Sequence, residues 1–153
     1  MILEIHLDIL EGETKLLKAK TYALKLLSKR DYFKEELRKK LIQKGFSEGE
    51  IAETIKYLED NEYINDEKLL QRYKEKYSQK GFSYVKLKSK LYSKGYILDD
   101  EFSYEEELKS ALNRLKKYKK EKDFYSIVKY LINRGFSYQV AKEATNIFLN
   151  EAK

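Results

Sequence analysis

Three times along the chain, two apolar residues four apart are followed three residues later by a cation, a glycine and an aromatic ring. The copies are Leu37, Leu41 and Lys44-Gly45-Phe46; Leu87, Leu91 and Lys94-Gly95-Tyr96; and Ile127, Leu131 and Arg134-Gly135-Phe136. Residues four apart lie on one helix face, so each apolar pair marks the buried side of a helix. The glycine that follows can take the left-handed cap, and the cation before it suits the negative carboxyl end of the helix dipole. Each copy is therefore a helix stop. With no proline and only six glycines in 153 residues, three of them in these stops, few breakers are present. This predicts helices joined by short turns.

The start signals agree with the stops. Ser47 and Glu50 have capping-box spacing ahead of Ile51, Ile55 and Leu58, and Ser137 precedes Val140, Ala144 and Ile147. Asp31, Ser83 and Asp123 are candidate N-caps for the middle helices. Upstream helices follow from the periodicity of Leu16, Ala19, Ala23 and Leu27, of Leu69, Tyr73 and Tyr77, and of Leu108, Leu112 and Leu115. Each unit then reads helix, turn, helix, glycine turn, helix, and is too short to bury its own apolar faces. Stacking solves that, so the fold predicted is all-α: three tandem three-helix repeats forming an elongated, curved helical rod. The repeats are placed at 16–62, 63–107 and 108–153, after a tail at 1–15. Only 40 residues separate Gly95 from Gly135, and Ile97 to Glu107 carries six carboxylates with little apolar period. The third helix of the second repeat is accordingly expected to be short or fused into the next. In the tail, Leu3, Ile5, Leu7 and Ile9 alternate with Glu4, His6 and Asp8 in the manner of a strand. No second strand is evident to pair with it, so a disordered or helically extended tail is expected.

What the chain lacks excludes several chemistries. Without cysteine there are no disulfides and no thiolate nucleophiles, and with His6 alone no multi-histidine zinc site can form. No phosphate-binding loop and no nucleophile with a base appear, which makes an enzyme the weakest reading. His6 has no orienting partner in sequence and is read as a surface residue. The acidic group Asp99, Asp100, Glu101, Glu105, Glu106 and Glu107 is read as solvated rather than as a magnesium site, so neither metal nor cofactor is expected. The first residues lack the basic start of a signal peptide, and no apolar run reaches the roughly 18 residues of a membrane span. A protein of the cytoplasm, away from membranes, is expected.

The net charge of +6 is unevenly spread: residues 69–95 hold eight basic side chains against one acidic, residues 96–107 six acidic and no basic, and residues 108–134 nine basic against two acidic. Arg72, Lys74, Lys76, Lys80, Lys86, Lys88, Lys90 and Lys94 are interleaved with Tyr73, Tyr77, Phe82, Tyr84 and Tyr92, a mixture that can neutralise phosphates and stack bases. Arg114, Lys116, Lys117, Lys119, Lys120 and Lys122 extend the charge, giving affinity without base readout. The competing reading makes these lysines an ordinary solvated surface and packs Tyr73, Tyr77, Tyr84 and Tyr92 between helices; periodicity favours packing for Tyr73 and Tyr77.

The stretch from Tyr22 to Tyr73, then KGFSYVKLKSKLYSKGY (80–96) and YLINRGFSYQVAKEA (130–144), resembles the bacterial RecX proteins, regulators of the RecA recombinase. The likeness covers about residues 21 to 150. Its most specific piece is Glu62-Tyr63-Ile64-Asn65-Asp66 with Leu70 and Tyr73 after it, and next comes the phrase from Leu37 to Phe46. Phe33 departs from the family where a capping serine is usual, and Asn65 where an aspartate is usual. The resemblance implies a non-enzymatic protein of three three-helix repeats that lies in the groove of the RecA–single-stranded DNA filament. There it would hinder growth, ATP hydrolysis and strand exchange in recombination and DNA repair. The partners expected are that filament and, more weakly alone, single-stranded DNA, with the protein a monomer. The alternative is a sequence-nonspecific helical nucleic-acid-binding module with no recombinase partner. The filament or DNA contacts are expected at Arg72, Lys74, Lys76, Lys80, Lys86, Lys88, Lys90, Lys94, Arg114, Lys116, Lys117, Lys119 and Lys120.

Overall fold

In the computed structural model, which describes residues 2–100 and 103–151, every regular element among those residues is an α-helix. The helices are α1 (Ile2–Leu27), α2 (Lys34–Lys44), α3 (Glu48–Asp60), α4 (Asp66–Lys80), α5 (Tyr84–Ser93), α6 (Tyr104–Leu115), α7 (Phe124–Ile132) and α8 (Tyr138–Glu151). None is long and apolar enough to cross a membrane. The chain forms two compact units, one of residues up to Leu69 with Lys94–Tyr96, the other of Leu70–Ser93 and the residues from Ile97 onward.

The first unit is a three-helix packing around Ala19, Ala23, Leu37, Leu41, Ile51, Ile55 and Leu58. Ala19 and Ala23, one turn apart and both fully buried, let α1 lie close to α3. Burial of each large side chain here stabilises the fold by about 1.5–3 kcal/mol. The alternation that suggested a strand at Leu3, Ile5, Leu7 and Ile9 belongs instead to α1. Leu3 and Leu7 also fit a helical spacing with Leu10 and Leu17, no strand occurs among the described residues to supply hydrogen bonds, and of the two expectations for the tail the helical extension is the one found. His6 stands exposed on this helix.

The α3 start is as read: the Ser47 side chain accepts from the Glu50 N–H, and the Glu50 carboxylate accepts from the Ser47 N–H. The α2 start is not. Its N-cap is Phe33 rather than Asp31, and Phe33 makes no side-chain cap. The free N–H of Lys34 donates instead to Asp66 Oδ1, 2.9 Å away at the head of α4. Phe33 is fully buried, with its ring centroid 4.8 Å from that of Tyr96, so a serine there would sacrifice core packing. Asn65 performs an aspartate's task, its Oδ1 accepting from the Lys68 N–H at 3.1 Å.

In the second unit α6 and α7 pack on α8 around Ala111, Leu115, Ile127, Leu131, Val140 and Ala144. Here Ser83, Asp123 and Ser137 cap α5, α7 and α8 as read, through the N–H groups of Lys86, Ser126 and Val140. Residues 94–100 and 103 contain no helix, so the next helix after α5 is α6, which has two working faces. Leu108, Ala111, Leu112 and Leu115 join the α8 core. On the other face Asn113 donates to the Ser78 carbonyl at 2.8 Å, Ser110 to the Phe82 carbonyl, and Glu107 Oε2 accepts from the Tyr84 N–H at 2.8 Å. The Tyr84 N–H is one of the donors that the start of α5 leaves without a helical partner, while the Ser78 carbonyl also accepts from the Gly81 N–H at 3.0 Å. The turn between α4 and α5 contains Gly81, at φ +73°, where an added Cβ would stand 2.6 Å from the Arg114 backbone. Only glycine fits.

Candidate nucleic-acid interface

The basic residues singled out in the sequence differ in their immediate surroundings. Lys74 lies on α4 with its Nζ 2.7 Å from Asp100 Oδ2, and the hydrogen bond to that carboxylate raises its pKa. It is a structural ion pair. Lys94 belongs to the first unit, with its Nζ 3.8 Å from Glu36 Oε2. Lys116 follows α6 as its C-cap and lines a cleft shared with Glu105 and Glu151. Lys117, Lys119 and Lys120 are exposed in the turn before α7. In that turn Tyr118 is anchored against Tyr130, with ring centroids 4.9 Å apart. Arg72 and Lys76 are exposed on α4, and Lys88 on α5.

What the fold does bring together is a smaller set. Phe82, in the α4–α5 turn, has Lys86 Nζ 3.6 Å from its ring centroid, Arg114 Cζ at 5.7 Å and Lys80 Nζ at 5.9 Å. Each contact of this kind contributes about 0.5–1 kcal/mol at exposed sites, and together they fix where three flexible cations sit. Beside the ring runs a groove of about 670 Å³, lined by Phe82, Val85, Lys86, Lys90, Arg114, Arg134 and the two turns at Gly81 and Gly135. Arg134 is held with its guanidinium 3.6 Å from the Tyr130 ring centroid. From sequence alone Arg134 is a helix-stop cation and Phe82 one aromatic among several. The signal that could have found them is the repeated Lys/Arg-Gly-Phe-Ser, at 44–47, 80–83 and 134–137, whose second and third copies bound this groove.

The tyrosines divide in a similar way. Tyr77 is buried edge-on to Phe82 at 5.1 Å, with Tyr73 6.3 Å away, while Tyr84 donates its hydroxyl to the Asp100 carbonyl. Tyr92 is 73% exposed and does not pack between helices.

The acidic stretch has local tasks. Glu105, Glu106 and Glu107 occupy the first turn of α6, where negative charge complements the helix dipole. Asp100 holds Lys74. Glu107, 4% exposed, caps α5, and burial pushes its carboxyl up to about 7. No group of residues suited to holding a metal ion occurs among the described residues, and Glu101 lies outside them.

Residues 19–58 match the family model described as RecX, first three-helix domain. A regulatory protein RecX of Clostridium perfringens (strain 13 / Type A) is 34% identical over 142 residues, covering 82% of this chain and 66% of that protein. The chain belongs to the RecX family. Another relative with the name regulatory protein RecX, from Actinobacillus pleuropneumoniae serotype 5b (strain L20), is 40% identical over 74 residues, 48% of this chain and 49% of that protein. The chain thus matches about half the length of that relative. The crystal structure of RecX from Lactobacillus salivarius superposes with a TM-score of 0.71 at 21% identity, over 89% of this chain and 97% of that one. That likeness is one of fold.

Proposed function

We propose that the chain is a non-enzymatic regulator that binds the RecA–single-stranded DNA filament and restrains its growth, ATP hydrolysis and strand exchange. The regulatory role is supported by the names of its relatives, and the filament by the RecX resemblance described above. The structural observation that carries the reading is the gathering of Lys80, Lys86 and Arg114 around Phe82 beside a groove that also holds Lys90 and Arg134. A cleft lined by one sign of charge with apolar walls focuses its field outward and favours a polyanion. Cations alone bind phosphates without sequence choice, which suits a partner that coats DNA of any sequence.

The test is a titration of the protein into preformed RecA filaments on single-stranded DNA, following ATP hydrolysis, with binding to naked DNA measured in the same buffer. Inhibition at protein well below the RecA concentration, with much weaker binding to naked DNA, is the expected result. No effect on hydrolysis, beside tight and salt-steep binding to naked DNA, would leave a nucleic-acid-binding module without a recombinase partner. Reversing the charges of Lys86, Lys88 and Lys90 together should weaken inhibition with helicity intact, and unchanged inhibition would remove α5 from the mechanism.

A further inference from the structure

We propose that the groove between the Gly81 and Gly135 turns is a phosphate seat, taking the backbone of the single-stranded DNA itself rather than a carboxylate surface of the recombinase. Arg114 and Arg134 are its principal ligands. The assignment rests on the filament reading for its choice of single-stranded DNA, and on the following features of the groove for its chemistry.

The first is purity of sign. The residues around this groove include Lys86, Lys90, Arg114 and Arg134 and no carboxylate. Three other clefts pair their cations with acids: Lys74 and Lys109 with Glu75, Glu106 and Glu107; Lys116 with Glu105 and Glu151; Lys34 and Arg38 with Glu59 and Asp60. Where a cation already faces a carboxylate, an incoming phosphate must displace it. Here, among the described residues, no acid has to be displaced, and the hydrogen bond that Arg134 makes, at 3.3 Å, is to the neutral Tyr130 carbonyl.

The second is a donor in want of an acceptor. Arg114 Nε is buried and has no hydrogen-bond partner among the described residues. Buried polar groups are normally satisfied, and a guanidinium presents its N–H groups in a fork that matches phosphate oxygens two at a time. The third is rigidity. A Cβ on Gly81 would meet the Arg114 backbone at 2.6 Å, and one on Gly135 would meet Ser83 Oγ at 2.7 Å, so both turns are packed home and the groove is set before a ligand arrives. Phe82 and Val85 add an apolar floor against which a sugar or base edge can lie.

The experiment measures binding of a fluorescein-labelled 20-mer of oligothymidylate to the full chain across a series of salt concentrations, for wild type, Arg114→Gln, Arg134→Gln and, as a control on α8, Lys142→Gln. Each arginine variant is expected to bind about tenfold more weakly, with the salt slope shallower by about 0.7 per lost contact, and Lys142→Gln to match wild type. Arg134 is exposed, so its variant reads the groove even if Arg114→Gln unfolds the α4–α5 turn. An unchanged slope in Arg134→Gln overturns the seat. Inorganic phosphate and ATP, added at matched ionic strength, separate the sources of the phosphate: displacement of the oligonucleotide by either reassigns the groove to a free phosphate compound and overturns the DNA assignment. The same variants are carried into the RecA ATPase assay. Lost inhibition with unchanged oligonucleotide binding means the groove faces protein carboxylates, which also overturns the proposal. Weaker oligonucleotide binding by the arginine variants, when the wild type never inhibits RecA, sustains the seat and removes the filament reading alone.

Discussion

The two units solve one problem differently, that of starting a middle helix just after a tight turn. In the second unit Ser83 caps α5 locally and Glu107 adds a second acceptor from α6. In the first unit the residue before α2 is Phe33, which has no acceptor, and the whole task falls to Asp66 from α4. The difference teaches that a cap is worth about 1 kcal/mol while a buried aromatic is worth several, so where one position can serve only one use, the ring prevails and the cap is brought from elsewhere.

The sharpest way to break that comparison is Phe33→Ser, which supplies the missing local cap and removes the ring. A net loss of about 3–5 kcal/mol in urea unfolding is expected, and a neutral result would show that the ring packed against Tyr96 stabilises little. Next in size is Gly81→Ala. Left-handed backbone alone costs an alanine about 1 kcal/mol, which is all that Gly45→Ala should show, since nothing lies within 4 Å of the position of its Cβ. Gly81→Ala must also push the Arg114 backbone aside, so its loss should be at least twice as large, and equal losses would mean that α6 yields freely at that point. Smaller again is the pair Asp66→Ala and Ser83→Ala. The first removes the acceptor of the Lys34 N–H and should cost about 1–2 kcal/mol; the second leaves Glu107 in place and should cost about 0.5–1 kcal/mol. The reverse order would make Ser83 the principal cap.

The mildest test is in pH. Burial holds the Glu107 carboxyl up at about 7, above its ordinary 4.5, and raises that of Asp66 as well. The folded state therefore grips these protons more tightly than the unfolded state. Their contribution to stability is whole in acid and is lost as pH rises through the Glu107 value. Stability measured from pH 4.5 to 7 should fall on this account, and Glu107→Gln should flatten the profile; an unaltered profile would mean that Glu107 titrates as an ordinary carboxylate.

The same contrast explains what could be read from sequence. Stops at Gly45, Gly95 and Gly135 and caps at Ser47, Ser83, Asp123 and Ser137 were legible because each is made by residues within a few positions of one another. Asp31 was misread as a cap because its replacement, Asp66, arrives from more than thirty positions away. The candidate site suffered likewise. A count of cations along the chain could not distinguish Lys74, tied to Asp100, from Lys86, lying on Phe82, nor place Arg134 beside Arg114. Charge density is a property of sequence, but availability is a property of neighbours.

Helix α6 also bears on where such a chain can be divided. Because its residues at 107, 110 and 113 complete the α4–α5 turn while those at 108, 111 and 115 complete the α8 core, a duplication or deletion whose border falls on either side of it leaves one of the two without its wall. A cut on either side of α6 therefore separates it from a part it completes, so a fragment that keeps both parts intact has to carry α6 along with both neighbours.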